Sequence, residues 1–215
     1  MLDHEKRGYV LNTISRTRPS GFSLIELLIA VAVLVVLISL AVPSFKIWLQ
    51  NSQIRNAAES IQNGLQRARA EAVARNTSVE FVLVDTDATC VAAGTCSTWK
   101  VQLPGGGGGP VTGTPIDSRS SAEGSADVKR TATLSTSSPA SPTTVTFNNV
   151  GGRATTNANG SYPFTEVTLD SNILAAADSR ELKIVIGVKD AGGNYVGGTV
   201  RMCDPSFPSV NPRGC

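Results

Sequence analysis

The chain has 215 residues, 41% of them apolar, with only six Phe, three Tyr and two Trp but 20 Gly. That composition suits one modest core under many turns and excludes two large domains or a dense enzyme interior. The net charge is +2, from 19 Lys and Arg against 17 Asp and Glu, too even for a strongly basic nucleic-acid domain. The single histidine, His4, lies in the first segment. Removal of that segment removes imidazole, and with it Ser-His-Asp and Cys-His catalysis and most metal sites. The expectation is a protein that is not an enzyme, with no cofactor and no metal.

Residues 1–21 carry Lys6, Arg7, Arg16 and Arg18 against Asp3 and Glu5. An apolar run follows from Phe22 to Val42, broken only by Ser23, Glu26 and Ser39. At helical rise it covers about 30 Å, the hydrocarbon thickness of a bilayer. Arg16 and Arg18 precede it and no basic residue follows until Lys46, so the positive-inside rule puts the N-terminus in the cytoplasm and the rest beyond the membrane. A plain signal anchor and a signal peptide cut near Ser39-Leu40-Ala41 compete for this run. The run exceeds the usual 7–15 residues of a signal peptide. Neither reading explains Glu26, because a carboxylate among apolar residues is costly and marks function.

Residues 18–28, Arg-Pro-Ser-Gly-Phe-Ser-Leu-Ile-Glu-Leu-Leu, resemble the cleavage and methylation site of type IV pilins and type II secretion pseudopilins. The resemblance implies a leader of residues 1–21, cut by a prepilin peptidase between Gly21 and Phe22, with methylation of Phe22. It also implies that Glu26 pairs with the N-terminal amine of a neighbouring subunit, an arrangement that makes a carboxylate tolerable in lipid. Pro43 matches the helix-bending proline of these proteins. The partners implied are other pilins or pseudopilins through the N-terminal helix, the prepilin peptidase and the inner membrane. The globular part is then periplasmic, and later part of a filament.

The helix is expected to continue as an amphipathic half over residues 43–76. Ile54, Ala57, Ala58, Ile61, Leu65, Ala68 and Ala72 recur in steps of three and four, one narrow stripe, and Asn76 is a stop signal. One helix from Phe22 to Arg75 would be about 80 Å long. The basic excess of residues 46–75 reads as a solvated face rather than a DNA stripe.

From residue 77 the period changes to two, opening a β-rich globular domain, residues 77–215. Strands are predicted at 79–84, 99–103, 144–147, 164–169, 182–188 and 195–202, with residues 190–194 turning the last two into a hairpin. The fold class expected is α+β: a long N-terminal transmembrane and amphipathic helix packed on a small antiparallel sheet, the pilin fold. Residues 104–143, rich in Gly, Ser, Thr and Pro, read as a disordered loop. Its glycines 105–109 lack the Gly-Lys-Ser/Thr of a phosphate loop. Val150-Gly151-Gly152-Arg153 resembles the Gly-Arg turn of the GspH/FimT branch of pseudopilins.

Four cysteines allow three pairings. Local closure favours Cys90 with Cys96 and Cys203 with Cys215, the latter bracketing a tail of residues 203–215. Their spacings match no zinc ribbon, and Asp85-Thr-Asp87 reads as a solvated turn rather than a calcium loop. The resemblance implies a minor pilin or pseudopilin, structural in role, that helps to start a filament in pilus biogenesis or type II secretion. The alternatives are a DNA-binding minor pilin for DNA uptake and, more weakly, a secreted periplasmic binding module. Some FimT-type pilins bind DNA through Gly-Arg-x-Arg. Here Gly198-Thr199-Val200-Arg201 lacks the first Arg, leaving Arg201, with Arg213 in the tail, as candidate DNA contacts. Residues 76–215, with 10 basic and 12 acidic side chains, repel a polyanion at long range, so DNA is not the favoured partner.

Overall fold

The computed structural model describes residues 21–84, 96–105, 113–134, 143–193 and 195–215. The chain divides into two compact units, residues 1–42 and 43–215. A single helix, α1 (Leu24–Ala74), runs through Pro43. In the first unit every described residue is exposed, as expected of a segment that is apolar all round and has no core of its own to enter.

In the second unit α1 buries one stripe. Ile54, Ala57, Ala58, Ile61, Leu65, Ala68 and Ala72 are buried, joined by Gln50, Ser60 and Gly64. Alanines keep this face flat, and Gly64 brings the helix closest to the sheet. A Cβ on Gly64 would stand 2.7 Å from Phe81 Cε2 and 3.0 Å from the Trp99 ring. The Trp99 indole N–H donates to Ser60 Oγ across the same contact (2.8 Å).

The helix ends at Asn76, which takes the left-handed conformation (φ 49°). Thr77 N–H donates to Ala72 O (3.1 Å) and Asn76 N–H to Val73 O (3.2 Å), the paired bonds that satisfy the last carbonyls of a helix. An Asn serves here because its short polar side chain tolerates positive φ, and its Oδ1 accepts from Asn149 Nδ2 (3.0 Å).

Eight strands follow: β1 (Val79–Leu83), β2 (Trp99–Gln102), β3 (Pro115–Arg119), β4 (Val128–Thr133), β5 (Thr144–Phe147), β6 (Glu166–Ser171), β7 (Leu182–Lys189) and β8 (Tyr195–Cys203). They form two four-stranded sheets, ordered β3-β2-β1-β5 and β4-β6-β7-β8, with every pairing antiparallel. Both sheets contribute to one core with the helix stripe: Val79, Phe81, Val101, Val145 and Phe147 from the first, Val128, Val167, Leu169, Ile184 and Ile186 from the second.

Three expectations are corrected. There are two sheets, not one small one. Residues 104–143 are not a disordered loop throughout: they contain β3 and β4, while 106–112 and 135–142 lie outside the described residues. The strand expected at 164–169 begins at Glu166. Phe164 instead enters the core as a wedge, edge-on to Phe81 at 6.2 Å between ring centroids.

The expected hairpin of β7 and β8 forms. Its register shifts at Gly187 (φ 100°), where a Cβ would lie 2.7 Å from Val196 O. Only glycine fits that bulge.

Candidate assembly interface

The N-terminal unit presents its chemistry at the first turn of α1. Leu27 N–H donates to Ser23 O (3.1 Å), making Ser23 the residue that starts the helix, and Glu26 is the acidic residue of that turn. A carboxylate there is favoured by the partial positive charge of the helix N-terminus. Among the described residues no cation meets it. Gly21 and Phe22 lie just outside the helix and are exposed. Pro43 begins the second unit.

In the second unit the Gly-Gly-Arg turn joins three elements. Asn148 Oδ1 accepts from Gly152 N–H (2.8 Å) and Val150 N–H (3.2 Å), holding the turn after β5. Gly151 (φ 75°) turns its carbonyl to Arg69 Nε of α1 (3.0 Å). Gly198 of β8 lies against the same carbonyl: a Cβ there would be 2.1 Å from Gly151 O. Arg153 donates its backbone N–H to Gly197 O (3.4 Å) and its guanidinium to Tyr195 O. Burial lowers the pKa of Arg153.

Beyond this turn, the outer face of the second sheet carries a polar cluster. Tyr195 OH donates to Glu166, and Lys189 Nζ lies 5.1 Å from the centre of the Tyr195 ring. Burial pushes the Tyr195 hydroxyl well above the usual phenol range. The Glu166 hydrogen bond and charge add to that shift, and the Arg201 charge opposes it.

The tail is closed as expected. Cys203 and Cys215 are joined, with their Cα atoms 5.2 Å apart. Asp204 N–H donates to Arg213 O (2.7 Å), and Asp204 forms a parallel bridge with Gly214. Cys96 is also disulfide-bonded; its expected partner Cys90, like Asp85 and Asp87, lies outside the described residues. The Cys203–Cys215 bond removes the thiolates that a Cys₄ zinc site needs.

Between this tail and α1 lies a cleft of about 750 Å³, with Trp48, Arg55, Arg180, Phe207 and Arg213 in its walls. Arg180 pairs with Asp204 (3.6 Å). Arg213 lines this cleft and Arg201 does not; Arg201 acts instead on Tyr195. Of the two candidate DNA contacts, Arg213 thus stands in the wall of the cleft, and Arg201 lies on β8 within electrostatic reach of Tyr195. The structure also gives Gly198 a packing role.

Two residues central to this junction escaped the sequence reading. Arg69 looked like part of a solvated helix face, and nothing local marks its carbonyl partner 82 residues away. Asn148 had a signal, since an Asn directly after a strand can close an Asx turn on the backbone two residues on, here Val150.

An exposed apolar helix that begins on a Gly-Phe junction and carries a carboxylate in its first turn defines a type IV pilin-like protein. Residues 16–42 match the prokaryotic N-terminal methylation motif. Residues 57–189, more than half of the chain, match the family described as type II transport protein GspH. The chain belongs to that family, whose members are structural rather than catalytic. Two crystal structures of the type IV minor pilin FimU of Pseudomonas aeruginosa are similar to it. One has 15% identity and a TM-score of 0.44, covering 78% of this chain and 98% of FimU. The other has 14% identity and a TM-score of 0.40, covering 75% and 98%. No curated protein matches the chain significantly.

Proposed function

We propose that this chain is a minor subunit of a type IV filament machine, inserted in the inner membrane with its β-rich domain in the periplasm and then built into the filament through its N-terminal helix. In this reading the leader is removed after Gly21, Phe22 becomes a methylated N-terminus, and Glu26 receives the N-terminal ammonium of a neighbouring subunit. Pro43 lets the helix adapt as it passes from bilayer to filament. The subunit helps to start assembly, and the disulfide-closed tail favours a pilus over a secretion machine.

The observation that carries the proposal is the pairing of a wholly exposed apolar segment, residues 22–42, with Glu26, which meets no cation among the described residues. A buried carboxylate that loses its counter-charge costs several kcal/mol, and one that gains it becomes a registration point between subunits. Mass spectrometry of the mature chain tests the processing step. A product starting at methylated Phe22 supports the proposal. A product starting at Val42 marks a cleaved signal peptide and a free periplasmic domain.

A further inference from the structure

The second unit opens with an outward stripe unlike the rest of its helix. On α1, Ile47, Gln50, Asn51 and Ile54 turn toward the sheets and are buried or half-buried. Away from the sheets Phe45 is 61% exposed and Leu49 42%, while Trp48, at the lip of the tail cleft, keeps 63% of its surface exposed. The Phe45 and Trp48 rings lie 5.8 Å apart, and Lys46 beside them is exposed. From Ser52 to Asn63 the outward positions are polar: Ser52, Arg55, Asn56, Glu59 and Asn63. The apolar character stops within two turns of Pro43.

That extent matches a physical layer. The headgroup region of a bilayer is about 5–7 Å deep on each side of the hydrocarbon. Trp48 stands five residues past Pro43, about 8 Å of helix, a height that the usual tilt of a spanning helix brings within that layer, and the chain enters this unit directly from the apolar run. Two aromatic rings, a lysine and a leucine match the chemistry of that layer. An indole places its ring among the upper acyl chains and its N–H toward water, and a lysine extends its ammonium to the phosphates.

We propose that Phe45, Lys46, Trp48 and Leu49 form a lipid-binding collar that seats the unassembled subunit in the headgroup layer of the bilayer. The polar boundary at Ser52 sets the depth to which the domain settles. A protein partner covering this face would be served by an apolar stripe continuing along the helix, and the stripe ends with the headgroup layer.

The inference rests on residues 22–42 spanning the membrane, and the test separates the two. The full chain is reconstituted into phosphatidylethanolamine–phosphatidylglycerol vesicles, with part of the lipid brominated either near the headgroup or near the acyl terminus. The protein has two tryptophans, and Trp99 is only 5% exposed, so lipid quenching reports Trp48. The expected result is flotation with the vesicles and loss of emission that is larger with the shallow bromines. A Trp48→Phe variant, altered on the surface only, should float equally and lose the quenching. A chain that floats but is not quenched, or is quenched more by the deep bromines, overturns the collar and leaves the span standing. A chain that does not float overturns both.

Discussion

The two halves of α1 are built from one backbone pattern and meet opposite requirements. Residues 24–42 are apolar on every side and bury nothing within the chain, whereas residues 43–74 bury a single stripe of small and aliphatic side chains. The first half is stable only in another solvent or against other chains, since its exposed Leu, Val and Ile would be unfavourable in water. The second half takes its stability from its own domain. One helix can therefore belong to an assembly and to a fold, with each function in its own segment.

Substitutions should separate these segments. The largest effect is expected in the first half, from one carboxylate: Glu26→Ala should abolish incorporation into sheared filaments while leaving the membrane fraction unchanged, because the span only becomes more apolar. Normal incorporation of this variant would remove the assembly contact. In the second half, Leu65→Ala should lower domain stability by about 2–5 kcal/mol through the cavity it opens. Leu34→Ala, in the first half, should leave the same thermal melt in detergent unmoved. Equal shifts would mean that the halves are not energetically separate.

Away from the helix, the tail should contribute less. Replacing Cys203 and Cys215 together by Ser opens a ring with a sequence separation of 12 and should cost about 3 kcal/mol by the chain-entropy estimate, read as a lower denaturation midpoint. The smallest effect is expected from Tyr195, whose hydroxyl holds its proton more tightly when folded. As the pH rises past about 10 the unfolded phenol ionises first, so stability falls with pH from there up to the folded value. Tyr195→Phe should flatten that alkaline limb, and an unchanged slope would show that the phenol is not linked to folding.

How much of this could be read from the residues depended on whether a pattern was local. The helix stripe from Ile54 to Ala72 repeats every three to four positions, and Asn76 announces the stop, so both were legible. The alternation of Val79, Phe81 and Leu83 gave β1. In β4, however, the inward positions are Val128, Arg130 and Ala132, and an Arg and an Ala hide the period. β3 has one aliphatic residue, Ile116, and packs largely exposed at a sheet edge. The Gly-Arg turn was visible as a motif, but its hydrogen bonds with Arg69 and Gly197 are long-range, and spacing alone does not reveal them. The Phe45–Trp48 pair has no period of its own to mark it, because it directly follows the apolar run Phe22–Val42.

The strand order also bears on how the domain is made. The chain lays down β1, β2 and β3, leaves to place β4 at the far edge of the other sheet, and returns to set β5 beside β1. Only then does it supply β6 as the partner of β4. Each sheet therefore waits on a strand that comes after the chain has visited the other, and no single cut of the polypeptide separates the two sheets. Such interleaving favours one all-or-none unfolding transition for residues 43–215, and the many contacts between distant residues slow folding. The second sheet reaches its finished form only when the last strand, β8, has arrived. The bond from Cys203 to Cys215 fastens the end of that strand to the tail, so the covalent closure follows the last strand to pair.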